Sequence, residues 1–96
     1  MTGIVGEFFD LKADTDADIL AMQVGDFYEF FDDDAQLVAE ELDLKVSEKS
    51  SHGSSYPMAG VPVADLTPYL TALVERGYRV AVADQHESGD GHAREI

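Results

Sequence analysis

Apolar positions along the chain recur with two different spacings. In three segments they recur near the period of one helix face, which predicts helices within residues 1–12, 35–42 and 66–74. Apolar runs of strand length lie between them, at residues 19–24, 27–31, 44–49 and 79–84. This alternation predicts an α/β fold: a single small domain over residues 1–96, with a mixed sheet of about five or six strands and three helices packed on it.

Residues that cap helices set the limits of these elements. Thr2 and Asp65 are placed to cap the first and third helices, and Gly77 is placed to end the third in the left-handed conformation. Within the strand at 44–49, alternation places Leu44 and Val46 toward the core.

The middle and the end of the chain are less regular. Residues 50–55 are rich in serine and predict a flexible loop with an exposed His52. Residues 56–62 carry two prolines, which cannot donate to a ladder, so they predict an edge strand or an irregular extended segment. Residues 87–96 are polar, and we expect them to form a flexible tail.

The strongest local signal lies at the turn Gly25–Asp26. Both residue types favour tight turns, and an apolar run on either side predicts a hairpin. Alternation along the second strand places Phe27 and Glu29 on one face, close to the turn and near solvent. An aromatic ring beside a carboxylate in such a place indicates a contact site and not a core.

Composition limits the class of protein. The 96 residues suffice for one core, and they include no cysteine, which excludes disulfides and thiol chemistry. The sequence begins without signal-peptide order and has no apolar run of about 20 residues, so we expect a cytoplasmic protein without a membrane partner.

Charge is the most extreme feature of the composition. Six basic residues stand against twenty acidic ones, for a net charge of −14, which by itself disfavours a nucleic-acid partner. The chain is rich in Asp and poor in Lys, as are proteins adapted to a salt-rich cytoplasm. At 1 M salt the Debye length is about 3 Å, so charge then says little about partners. We therefore hypothesise a halophilic source, which predicts that the fold needs molar salt.

Two acidic runs have a metal-binding interpretation. Residues 14–18 imitate the start of a calcium loop, but Ile19 replaces its turn glycine and Gly25 its bidentate glutamate, so a solvated turn is favoured. The run Asp32–Asp34 resembles part of a carboxylate-metal nuclease site, yet no second cluster completes the shell. These residues are better placed to charge a helix N-terminus.

Several motifs together resemble one known family. They are Gly25–Phe31, Asp33–Ala35, Pro57–Pro62, Tyr69–Leu70 with Leu73–Val74 and Gly77, and Val80–Val82 with Gln85. Their order and spacing are similar to the N-terminal mismatch-recognition domain of the MutS family of DNA mismatch-repair proteins. In that family a Phe-x-Glu motif enters the minor groove at a mispaired base, and the resemblance carries this role to Phe27 and Glu29.

The resemblance also implies partners. These are mismatched double-stranded DNA, bound weakly by an isolated domain, and the other domains of a MutS-type protein, with Lys49 and Met58 as secondary DNA contacts. The family uses ATP and magnesium in a separate domain, and no G-x-x-x-x-G-K-[ST] motif occurs here, so we expect no cofactor and no enzymatic activity in this chain.

Departures from the family pattern support an alternative. Gln23 and Glu48 stand where the family commonly has basic character, which leaves fewer phosphate contacts. The alternative function is a stand-alone interaction module that keeps the fold and has lost DNA binding.

Overall fold

The computed structural model describes residues 3–88 and 91–96. Its elements are, in chain order, α1 (Ile4–Ala13), β1 (Ile19–Val24), β2 (Phe27–Phe31), α2 (Asp33–Leu42), β3 (Ser47–Ser51), β4 (Ser54–Pro62), a 3-10 turn (Val63–Asp65), α3 (Leu66–Glu75), β5 (Val80–Ser88) and β6 (Gly91–Glu95). The predicted α/β fold, with three helices on a mixed sheet, is confirmed. Within the described residues, no helix has the length and apolar character needed to cross a membrane.

β1 lies in the interior of the sheet. The strand order is β3-β4-β2-β1-β5-β6, with β1 and β5 parallel and the other neighbouring pairs antiparallel. Residues 19–22 are completely buried. Because helices cover this part of β1 on both faces, residues 19–22 are all apolar, and the first polar residue of the strand, Gln23, lies where burial becomes partial.

The two faces of the sheet have separate cores. On one face, α2 and α3 cover Tyr28 and Phe30 of β2. On the other face, α1 places Phe8 edge-on against Phe31, with ring centroids 5.3 Å apart. The predicted alternation of side chains along β2 is therefore confirmed.

The third strand begins later than predicted. Leu44 is half-buried against the core, but Val46 is 41% exposed, so the expectation that Val46 faces the core is wrong. The loop expected at residues 50–55 is also wrong, because only His52 and Gly53 separate β3 from β4. Their φ angles of 50° and 83° are those of a tight I′ turn, which matches the twist of paired strands. His52 is exposed there, as predicted.

β4 is an interior strand despite its two prolines. It lies between β3 and β2, so the prediction of an edge strand or irregular segment at 56–62 is wrong. Pro57 lies beyond the last residue of β4 that pairs with β2, which is Met58, and Pro62 lies beyond the part that pairs with β3. Each proline therefore pairs with only one of the two neighbouring strands. Its missing N–H removes at most one ladder hydrogen bond.

The ends of α3 agree with the prediction in position. Asp65 precedes the helix, but its side chain makes no capping hydrogen bond. Gly77 follows the helix with a φ of 94°, and its N–H donates to the Val74 carbonyl at 3.0 Å. The left-handed end at Gly77 is confirmed, whereas the capping bond of Asp65 is not formed. The cap predicted at Thr2 lies outside the described residues.

The described part of residues 87–96, which is 87–88 and 91–96, contains more structure than predicted. β5 continues to Ser88 and pairs with the antiparallel β6, so the flexible tail expected there is wrong. Arg94 of β6 donates from Nη1 to Glu7 Oε1 at 2.6 Å, which joins the strand to α1. Polar composition hid this element because an edge strand needs few apolar residues.

Asp34 is a buried carboxylate that ties three elements together. It is 5% exposed, and it accepts hydrogen bonds from Lys12 Nζ at 2.8 Å and from the Leu20 N–H at 2.9 Å. These bonds join α2 to α1 and to β1. Within residues 3–88 and 91–96, no three His, Cys, Asp or Glu side chains are placed to hold a metal ion. Asp34 therefore has a structural role.

Candidate nucleic-acid interface

The hairpin between β1 and β2 carries the candidate interface. Gly25 and Asp26 connect Val24 to Phe27, and these two residues pair across the ladder as predicted. Gly25 has a φ of 62°, the positive value that a type II′ turn requires at its first central residue. Phe27 is therefore the first residue of β2, next to the turn.

Two glutamines tie this turn to β5. The Gly25 N–H donates to Gln85 Oε1 at 2.9 Å, and the Gln85 N–H donates to Gln23 Oε1 at 2.9 Å. Gln23 Nε2 in turn donates to the Gly25 carbonyl at 3.1 Å. Because these bonds hold both polar groups of Gly25, they also position Phe27, two residues later.

We expect Gln85→Ala to loosen the turn without unfolding the domain. The bond to Gly25 is solvent-exposed, so its loss costs about 1 kcal/mol. Amide hydrogen exchange at Gly25 should become about fivefold faster. Gln36→Ala, at an exposed position on α2, is the control and should leave the rate unchanged. An unchanged rate at Gly25 in Gln85→Ala would contradict this role.

Two phenylalanines on one face of β2 have opposite environments. Phe31 is completely buried beneath α1, whereas Phe27 is 46% exposed. Leaving an aromatic ring in water forfeits the free energy of its burial. An exposed ring on a rigid strand is therefore suited to contact another molecule.

Glu29 lies between these rings in sequence, on the same face, and is half-buried. Its Oε1 is shielded from solvent and has no hydrogen-bond partner among the residues that the structure describes. Burial raises the pKa of Glu29, and the positive charges of Lys49 and Arg94 oppose that rise. The site thus holds a half-buried carboxylate, one oxygen of which makes no hydrogen bond within the described part of the chain.

We expect Glu29→Gln to stabilise the domain at neutral pH. Because burial raises the pKa of Glu29, the folded state holds the proton more tightly, and the free energy of unfolding falls as pH rises above the usual range of a glutamate. Removing the charge should increase the free energy of unfolding by on the order of 1 kcal/mol or less, since the group is partly solvated. Tm should rise by a few degrees.

Thermal denaturation at pH 7 and pH 4 measures this effect. The gain seen at pH 7 should be much smaller at pH 4, because Glu29 is then mostly protonated in both states. Glu40→Gln, at an exposed position, is the control and should give little change at either pH. An equal gain of Glu29→Gln at both pH values would argue against the burial of a charge as its cause.

Phe27 and Glu29 line a cleft of about 370 Å³. The other lining residues belong to β4 and to the chain around the start of β3: Leu44, Lys45, Ser47, Met58, Ala59 and Gly60. The structure therefore brings Met58 to the same cleft as Phe27 and Glu29. Lys49 is not a lining residue, but its charge acts on Glu29.

The sequence is similar to known proteins over nearly its whole length. The family model for MutS domain I matches residues 2–96. The chain belongs to the MutS domain I family. It is 80% identical over 95 residues to the DNA mismatch repair protein MutS 1 of Haloarcula marismortui, which covers 99% of this chain and 10% of that protein.

Other relatives of this MutS domain I show the same coverage. MutS 1 of Halobacterium salinarum is 78% identical over 89 residues, 93% of this chain and 10% of that protein. MutS of Cereibacter sphaeroides is 40% identical over 88 residues, 91% of this chain and 10% of that protein. The chain thus spans 10% of the length of these relatives. The two archaeal relatives are halophiles, which agrees with the salt-adapted composition.

The tyrosine in the Phe-Tyr-Glu stretch of this MutS domain I belongs to the opposite face. The Tyr28 hydroxyl donates to Asp84 Oδ1 at 2.6 Å. Burial, together with this hydrogen bond, raises the pKa of Tyr28 to about 12. Tyr28 therefore anchors β2 to β5 and leaves Phe27 and Glu29 as the outward pair.

Three residues of the MutS domain I site have no local sequence signal. Gln85 acts on Gly25 from 60 positions away along the chain. Gly60 pairs with Glu29 across β2 and β4, and Lys45 reaches the cleft from the chain before β3. The family motif contains Gly60 and Gln85, but their contacts depend on strand order, and Lys45 was not predicted at all.

Proposed function

We propose that this domain binds mismatched double-stranded DNA, with the Phe27 ring inserted at the mispaired base and Glu29 contacting that base. The proposal depends on one observation, the presence of an exposed ring beside a carboxylate whose Oε1 has no partner in the described part of the chain. Both features cost stability in the free domain, which is typical of a functional surface. The relatives are DNA mismatch repair proteins by name.

A phenylalanine ring can test a duplex for weak positions without reading its sequence. Wedging a ring between base pairs costs a few kcal/mol per unstacked step. That cost is least where pairing is already defective, so discrimination comes from the deformability of the DNA. Phe27 suits this role because Gln23 and Gln85 hold the turn that precedes it.

Glu29 adds discrimination at the expense of affinity. Its carboxylate accepts a hydrogen bond from a base N–H, while its charge is repelled by the phosphates. Lys45 lines the same cleft, and the charge of Lys49 reaches Glu29, so these two cations offset part of the repulsion. We therefore expect this site to contribute more to the discrimination between mismatched and matched DNA than to the overall affinity for DNA.

We further propose that the domain acts as part of a longer protein. The chain spans 10% of the length of its relatives, and their other parts would supply the remaining DNA contacts and the ATP and magnesium chemistry of the family. One wedge has little to offset the loss of association entropy, about 4–15 kcal/mol. The isolated domain should therefore bind DNA weakly.

Fluorescence anisotropy with labelled duplexes tests the DNA-binding proposal. The domain is titrated into a duplex with one G·T mismatch and into the matched duplex, each at 0.1 M and 2 M KCl. We expect tighter binding to the mismatched duplex wherever binding is measurable. Equal affinity for the two duplexes at both salt concentrations would contradict the proposal.

The net charge of −14 favours a second candidate, an interaction module without DNA binding. Repulsion between this surface and the phosphates is nearly removed at 2 M KCl. Absence of binding to either duplex at both salt concentrations, at domain concentrations high enough to detect weak binding, therefore supports the second candidate and contradicts the first.

A further inference from the structure

One arginine side chain lies almost buried close to the Gly25–Asp26 turn. Arg94 of β6 pairs with Gln85 of β5, so the two side chains leave the sheet on the same face. The Arg94 side chain is 8% exposed, whereas that of Arg76 is 47% exposed. A guanidinium keeps its proton in a protein, so its burial is costly unless acceptors surround it.

Acceptors from three elements surround the Arg94 guanidinium. Nη1 donates to Glu7 Oε1 of α1 at 2.6 Å, and Nε donates to the Gln23 carbonyl of β1. Nη2 donates to Gln85 Oε1 of β5 at 3.4 Å. Gln23 and Gln85 are the two residues that hold Gly25. Arg94 therefore contacts both of the residues that fix the turn, and it joins them to α1.

The contact between Arg94 and Gln85 determines which end of the Gln85 amide faces the turn. Gln85 Oε1 accepts hydrogen bonds from the Gly25 N–H at 2.9 Å and from Arg94 Nη2. If the amide were reversed, its NH₂ group would face two donors and neither bond could form. Because an arginine side chain has donors only, Arg94 favours the orientation in which the oxygen faces Gly25.

We propose that Arg94 is a positioning residue for mismatch recognition, which fixes the Gln85 amide so that its oxygen holds Gly25 and the hairpin that carries Phe27. Glu7 in turn orients the guanidinium through Nη1. The inference rests on the proposed function for its effect on DNA binding, but not for its effect on the turn. Arg94 contacts no base in this role, because it acts through Gln85.

Arg94→Lys separates the position of this side chain from its charge. Lysine keeps the positive charge, which acts on Glu29, but its single nitrogen cannot reach three acceptors that lie in different directions. It should retain the contact with the Glu7 carboxylate, the strongest of the three, and lose the bond to Gln85. Arg76→Lys is the matched control, because Arg76 makes its contacts with α2 from the end of α3. Thermal denaturation checks that both variants fold.

Amide hydrogen exchange at Gly25 tests the positioning role without DNA. We expect Arg94→Lys to make this exchange about threefold faster at 2 M KCl, and Arg76→Lys to leave it unchanged. In a Gln85→Ala background, Arg94→Lys should have no further effect, because the acceptor through which Arg94 acts is gone. A purely structural role would accelerate exchange in both backgrounds. Equal acceleration in both, or none in either, would overturn the proposal.

Glu7→Gln replaces Arg94→Lys if the lysine variant does not fold. An amide is a weaker acceptor than a carboxylate for Nη1, so the guanidinium is held less firmly. We expect exchange at Gly25 to become about twofold faster. Asp10→Asn is the control, because it removes the same charge from an exposed position on α1. Equal exchange rates in Glu7→Gln and Asp10→Asn would overturn the proposal.

Anisotropy with the G·T and matched duplexes tests the consequence for DNA binding. Arg94→Lys should reduce the ratio of the two affinities about threefold and leave binding to the matched duplex unchanged, since the net charge is the same. Arg76→Lys should leave the ratio unchanged. A wild-type ratio in Arg94→Lys would overturn the inference and leave the proposed function standing. Absence of any preference in the wild type would contradict the proposed function and with it the effect of Arg94 on DNA binding, while exchange at Gly25 would test the turn separately.

Discussion

Phe27→Ala is expected to remove the preference for mismatched DNA while the domain stays folded. Stacking of a base on an aromatic side chain contributes about 1–3 kcal/mol, so the loss should be about tenfold in affinity for the G·T duplex. Binding to matched DNA should change little, because the ring does not enter a well-paired step. Since Phe27 is already half-exposed, its removal should lower Tm by only a few degrees.

Phe9→Ala is the matched control for this variant. Phe9 is 38% exposed and lies on α1, where its ring contacts Tyr56 and not the cleft. The two variants remove the same side chain from surfaces of similar exposure. Equal loss of mismatch preference in both would show that the effect is not specific to the hairpin, and retention of the preference in Phe27→Ala would exclude the wedge.

Asp34→Ala is expected to be the most destabilising single substitution that we predict. Truncation leaves the buried Leu20 N–H without an acceptor and Lys12 without its carboxylate. The unsatisfied buried Leu20 N–H costs about 1–3 kcal/mol, and loss of the partly exposed ion pair adds about 1 kcal/mol or less, because Lys12 can reach solvent. This cost is a large part of the free energy of unfolding of a typical domain, which is about 5–15 kcal/mol.

Urea denaturation at 2 M KCl measures the cost of Asp34→Ala. Asp33→Ala is the control, because Asp33 stands beside Asp34 in the first turn of α2 and is exposed. Asp34→Asn should be intermediate, since it retains an oxygen for Leu20 and loses the charge that faces Lys12. A cost for Asp34→Ala no larger than that for Asp33→Ala would contradict the structural role of the buried carboxylate.

The sequence predicted those structural elements that are determined by residues close together along the chain. The Gly25–Asp26 turn, the apolar β1 strand and the left-handed end at Gly77 depend on residues close together in sequence, and all three are present. The outward position of Phe27 and Glu29 follows in the same way, because strand alternation is a local rule.

Features that depend on strand order could not be predicted in this way. Pro57 and Pro62 suggested an edge strand, yet β4 is interior because its prolines lie where only one neighbour pairs. The polar residues of β6 gave no strand pattern, although Arg94 anchors that strand to α1. The buried role of Asp34 was hidden within an acidic run that also fits a solvated helix end.

The most direct test of the proposed wedge is an intermolecular NMR measurement. The domain is prepared with labelled phenylalanine rings and mixed with the G·T duplex at 2 M KCl, and contacts between ring protons and base protons are recorded. We predict nuclear Overhauser effects from Phe27 to the bases at the mismatch, and none from Phe9. If the DNA perturbs α2 or α3 while the Phe27 ring shows no contact with a base, the account of Phe27 as the inserted residue is wrong.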